Sequence, residues 1–112
     1  LTADKSPDYI FVNVEYSLFK VVVDDIMWIE ALKDYIKINL KSSSKPVITR
    51  MTMKTMEDLL PVNRFIRVHK SYIAAMNFIT AIRKSSVMIG PLELPVSDTY
   101  QEALMKLAGK QG

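Results

Sequence analysis

The 112-residue chain has no cysteine, three glycines and a single histidine. Without cysteine no disulfide framework can form, and thiolate zinc sites are excluded with it. Glycines at 90, 109 and 112 cannot assemble a phosphate-cradling loop or a dinucleotide fingerprint, which need several glycines within one turn. Apolar runs such as Ile10 to Val14 and Val21 to Val23 fall far short of the roughly 20 residues that span a bilayer, so no membrane crossing is expected. Leu1 to Pro7 shows no initiator methionine, basic segment or apolar leader, and residues 1–8 read as a linker remnant cut from a longer chain. A reducing cytoplasm is consistent with this composition.

Catalytic material is equally scarce. His69 and Ser71 are the only pair resembling a base and its nucleophile, and no carboxylate lies nearby in sequence to orient the imidazole. Asp24 and Asp25 are adjacent, so on a strand they point to opposite faces instead of converging on a metal. The chain is read as neither an enzyme nor a metal or cofactor protein.

What is present is enough apolar material for one domain: 49% of residues are hydrophobic and 24% charged. The net charge of +3 hides a segregation. Residues 1–34 carry −4 and residues 93–112 carry −1, while residues 35–92 carry +8 from ten Lys and Arg against Glu57 and Asp58. Such a middle is an electrostatic footprint for a polyanion.

Tyr9 to Glu15 and Leu18 to Val23 have the β-branched and aromatic content of strands, reversing at Glu15-Tyr16-Ser17. Ile26 to Ala31 is a third strand, and Lys33-Asp34 turns the chain into Tyr35 to Leu40. There the alternation is clear: Ile36, Ile38 and Leu40 share one face, while Tyr35, Lys37, Asn39 and Lys41 share the other. After the loop Ser42 to Pro46, Val47 to Arg50 resumes an extended run. Met53, Met56, Leu59 and Leu60 recur at helical spacing behind Thr52 as N-cap, and Pro61 ends the helix. Phe65 to Val68 is a strand burying Ile66 and Val68, with His69-Lys70-Ser71 as its exit and Tyr72 to Met76 as its return. Asn77 to Ile82 is a further strand. Val87 to Ile89 and Leu92 to Pro95 form a hairpin about Gly90-Pro91. A last helix starts near Asp98, which has capping-box spacing to Gln101, and stops at Gly109. The methionines and Trp28 are assigned to the core, and Tyr35 to the surface.

No helix is basic enough to read a DNA groove, so strand ends and loops must supply any contact. Lys37 and Lys41 share a face with Tyr35 and Asn39, while Arg67, His69, Lys70 and Ser71 gather at a second strand exit. Lys and Arg neutralise phosphates or donate to guanine, and His or Ser can bond base edges or phosphates. A non-enzymatic β domain whose basic face meets an acidic protein partner is the alternative.

Three motifs resemble the LytTR-type DNA-binding domain of LytR/AlgR-family bacterial response regulators, over about residues 9–107. They are Asp25-Ile26-Met27-Trp28-Ile29-Glu30-Ala31 followed by Asp34-Tyr35-Ile36-Lys37-Ile38; Phe65-Ile66-Arg67-Val68-His69-Lys70-Ser71-Tyr72-Ile73; and Leu94-Pro95-Val96-Ser97. The resemblance implies a mostly β, elongated fold of small stacked antiparallel sheets with a short middle helix and a C-terminal helix, spanning residues 9–108 before a tail at 109–112. It further implies loops in the major groove of promoter DNA, two copies on repeated half-sites, and a receiver domain outside this chain that answers to a sensor kinase. Its contact positions fall on Lys33, Tyr35 and Lys37, on Arg67, His69, Lys70 and Ser71, and on Ser97. Where many relatives carry Arg after that serine, this chain has Asp98, which would repel a phosphate and is expected to cap the helix. Ala74-Ala75 stands where Val-Asn is frequent.

Overall fold

Ile38, Ile29 and Ile73 are register partners on adjacent strands, and none is more than 1% exposed. This row marks the centre of the domain in a computed structural model that describes residues 9–109. Each fully buried isoleucine contributes about 1.5–3 kcal/mol of transfer free energy. Around the row lies a five-stranded antiparallel sheet with the order β5-β4-β3-β7-β6. Its strands are β3 (Ile26–Leu32), β4 (Tyr35–Leu40), β5 (Val47–Arg50), β6 (Phe65–His69) and β7 (Tyr72–Ala75).

The alternation along each strand feeds two cores, one on each face of this sheet. On one face Ile29, Ile36, Ile38 and Ile73 meet Ile10, Val12 and Val21 of the hairpin β1 (Tyr9–Val14) and β2 (Ser17–Val22), together with Met53, Met56 and Leu60 around α1 (Met53–Leu59). On the other, Val68, Ala74 and Trp28 meet Val87, Ile89 and Leu94 of a three-stranded sheet, β8 (Ala81–Ile82), β9 (Ser86–Ile89) and β10 (Leu92–Pro95). Leu104 of α2 (Asp98–Gly109) closes this second core. The result is a mostly β stack of small antiparallel sheets, 45 × 41 × 24 Å. Among the described residues, no helix is long and apolar enough to cross a membrane. Residues 1–8 and 110–112, where the linker and most of the tail were expected, lie outside the described residues.

Thr52 caps α1 as its sequence suggests, its hydroxyl accepting from the Thr55 amide at 3.1 Å. Four local expectations change. Asn77 to Ile82 is not one strand: Met76–Phe78 forms a 3-10 turn, which leaves only Ala81–Ile82 to pair. Leu59 points outward, because the turn of α1 that buries Met56 and Leu60 carries it to the solvent side. Ile66 and Trp28 are half-buried at the second core. The helical capping box does not form as expected: Ser97's carbonyl accepts from the Tyr100 and Gln101 amides, so Asp98 is the first helical residue, and the Gln101 side chain donates to the Lys84 carbonyl.

The β1–β2 reversal is a two-residue loop, Val14 pairing with Ser17, and it places Glu15 at φ 57°. Only glycine adopts that region without steric cost. Glu15→Gly is therefore expected to stabilise the domain by about 0.5–1 kcal/mol, a rise in melting temperature of a few degrees by calorimetry.

Candidate nucleic-acid interface

Strand register brings the scattered candidates to one end of the five-stranded sheet. Leu32 pairs with Tyr35, so Lys33-Asp34 is the β3–β4 turn, with Lys33 held at φ 40°. His69 pairs with Tyr72, so Lys70-Ser71 is the β6–β7 turn. Because β3 also pairs with β7, these turns are neighbours: the Ala31 amide donates to the Ser71 carbonyl at 2.8 Å. With strands spaced about 4.8 Å, the two tips stand roughly 10 Å apart. Ser97 joins from the other side, its amide donating to the Val68 carbonyl at 2.9 Å. Residues some 60 positions apart in sequence thus form one edge, roughly following sheet spacing rather than chain order.

Lys33, Lys70 and Tyr35 are exposed there, and neither lysine makes an ion pair among the described residues. Ser71's amide donates to His69 Nδ1 at 3.0 Å, so Nδ1 is the acceptor and Nε2 the ring nitrogen that carries the proton. The ring lies edge-on to Tyr72 at 5.7 Å. A bulge between Arg67 and His69 turns His69 onto the Tyr72 face. Lys37 sits farther along β4, half-buried, its ammonium 3.9 Å from Glu30 on the neighbouring strand.

Arg67 reaches this tip through backbone carbonyls and does not stand beside His69. It shares its face of β6 with Phe65, opposite Ile73, and its side chain runs toward α1. Its guanidinium donates to Glu57, to the His69 carbonyl and to the Lys70 carbonyl. The bulge explains the departure: two residues apart, Arg67 and His69 would share a face of a regular strand, and the extra residue Val68 sends them to opposite faces. Lys41 and the Ser42 to Pro46 loop, with Lys45, lie at the far end of β4 and β5.

Two additions could not be read from sequence. Arg50, exposed at the end of β5, is the register partner of Tyr35, a proximity that the β4–β5 pairing alone determines. Exposed Arg83 and Lys84 occupy the β8–β9 turn, which is tied to the Ser97 side by Val96 amide to Ser85 carbonyl and by Gln101 to Lys84. Asp24 and Asp25 lie in a 3-10 turn (Val23–Asp25) and not on a strand as expected; their carboxylates still part, one to Arg64 and the other to Ser42.

The model of the LytTr DNA-binding domain family matches residues 16–109. Two curated relatives, each named Sensory transduction protein LytT, from Bacillus cereus and Bacillus anthracis, are 32% identical over 100 residues. The alignment covers 84% of this chain and 40% of each relative, so the chain spans less than half their length. A solved Bacillus cereus structure described as a LytTr DNA-binding domain superposes with a TM-score of 0.77 at 24% identity, covering 92% of this chain and 98% of that one, a likeness of fold.

Proposed function

Because this chain belongs to the LytTR family of DNA-binding domains, we propose that it is the sequence-specific DNA-binding output domain of a cytoplasmic two-component transcriptional regulator. The observation that carries the reading is the convergence of the Lys33, Lys70-Ser71 and Ser97 turns on one sheet edge. A two-stranded tip such as β6–β7 fits the roughly 12 Å major groove. Lys70, His69 Nε2 and the Ser71 hydroxyl would then face base edges or phosphates. Lys33, with Tyr35, Lys37 and Ser97, would meet the backbone on either side, helped by Arg50, Arg83 and Lys84. Asp98 leaves the third position without a donor of its own, and the nearby Arg83-Lys84 turn supplies positive charge there instead. Membership of a DNA-binding family and relatives named for sensory transduction support extending this reading to a receiver domain outside the chain, its sensor kinase and paired half-sites.

Selection of bound duplexes from a random pool tests this. Recurrent, repeated motifs are expected, with log affinity falling against log salt at a slope of roughly −4 to −5 for 4 to 6 phosphate contacts. No enrichment would leave the acidic-protein alternative standing. Lys45→Ala should change affinity less than about twofold by fluorescence anisotropy, because a strand length of about 17–20 Å puts the far end beyond a Debye length.

A further inference from the structure

We propose that Arg67 is a positioning residue: together with Glu57 it clamps the Lys70-Ser71 turn in the shape that DNA binding needs, without touching DNA. The inference rests on the DNA-binding reading above and differs from it in removing the most conspicuous cation of the β6–β7 segment from the contact surface.

Three nitrogens of one rigid guanidinium plane are already engaged. Nε donates to the His69 carbonyl at 2.9 Å, one terminal nitrogen to the Lys70 carbonyl at 2.7 Å, and the other to Glu57 Oε1 at 2.8 Å. The plane lies 5.5 Å from the Tyr100 ring of α2, and only 16% of the side chain is exposed. Binding two successive carbonyls from one plane fixes the two peptides that flank Lys70, and with them the direction in which Lys70 leaves the turn. The second of these peptides is held from its other side as well, the Ser71 amide donating to His69 Nδ1, and the Ser71 carbonyl accepts from the Ala31 amide. Glu57 holds the guanidinium from the α1 side and offsets its charge, so little field remains to attract a phosphate. The face of β6 settles the geometry, since Arg67 leaves on the α1 side while His69 lies with Tyr72 on the other.

A clamp and a phosphate contact make opposite forecasts. Were Arg67 bound to a phosphate, Arg67→Gln would reduce the salt slope by about 0.9, and Glu57→Gln, which removes a nearby anion, would leave binding unchanged or tighter. For a clamp, Arg67→Gln weakens binding to a selected duplex about tenfold, Glu57→Gln weakens it by a smaller factor in the same direction, and neither changes the slope. Arg67→Lys does not restore affinity, because one ammonium cannot serve three acceptors in a plane.

The experiment measures affinity across a salt series for the 112-residue chain and these variants, with amide hydrogen exchange on the same proteins. Exchange at Ala31 and Ser71 is expected to quicken in Arg67→Gln and Glu57→Gln while the β1–β2 amides keep their rates. A fall in salt slope on Arg67→Gln, or unaltered exchange at Ala31 and Ser71 in both variants, would overturn the clamp. If the wild-type chain enriches no duplex, the DNA-binding reading has failed, and the exchange rates by themselves decide whether Arg67 holds the turn. Glu57 lies at the surface, 41% exposed, so its variant reports even where Arg67→Gln fails to fold.

Discussion

Lys33→Ala combined with Lys70→Ala is expected to weaken binding to a selected duplex by about 2–4 kcal/mol, roughly 30-fold or more. The two lysines stand on separate turns of the same edge, and neither ammonium is committed to an ion pair among the described residues. Their tips are about 10 Å apart, so the single losses should nearly add. If both meet phosphates, the salt slope falls by about 1.8 and the loss is uniform across sequences. If Lys70 reads a base, Lys70→Ala alone also relaxes the preference at one position of the site. Folding should be almost untouched, within about 0.5 kcal/mol, because both side chains are exposed. Electrophoretic or anisotropy titration checks the affinity, and an unchanged Kd for the double variant would remove the tip from the interface.

Ile29→Ala should destabilise the domain by about 3–4 kcal/mol in urea unfolding, within the usual range for emptying a core position. Ile29 is 0% exposed and stands between Ile38 and Ile73, on the central strand that connects both halves of the sheet. The cavity would open among stiff, β-branched neighbours that close over it poorly. For a single domain whose total stability is about 5–15 kcal/mol, that loss leaves a substantial unfolded fraction on mild heating. Correcting the measured affinity for the folded fraction should restore the wild-type value, since Ile29 lies inside and the contact turns lie at the edge. A loss below about 1 kcal/mol would contradict the burial of this row.

The strands with strict alternation were legible from residues alone, Tyr35 to Leu40 above all, because a one-residue slip would expose Ile36 and Ile38 together. So was the short helix, through Thr52 and Pro61. Asn77 to Ile82 misled because β-branched content there competes with a 3-10 turn, and propensity does not register the turn that tertiary contacts select. At the candidate site the residue types were legible but their grouping was not. Lys33, Lys70 and Ser97 become neighbours only through β3–β7 pairing and the Ser97 to Val68 hydrogen bond, both long-range. The cationic run groups Arg67 with His69 and Lys70, whereas the bulge between Arg67 and His69, which nothing local marks, leaves the Arg67 side chain on the Ile73 face with Glu57. Arg50 was passed over because nothing local marks it. Its partner Tyr35 lies fifteen positions earlier, across a hairpin register that the loop Ser42 to Pro46 does not specify.

The most direct test is a two-dimensional amide NMR titration of the labelled chain with a duplex recovered by selection. Shifts are expected to concentrate at Lys33 to Tyr35, His69 to Ser71 and Ser97, with smaller ones at Arg50, Arg83 and Lys84. The Ser42 to Pro46 loop and the β1–β2 hairpin should stay unperturbed. Shifts centred on that loop or hairpin, with the three turns silent, would contradict the assignment of this sheet edge as the DNA-binding surface.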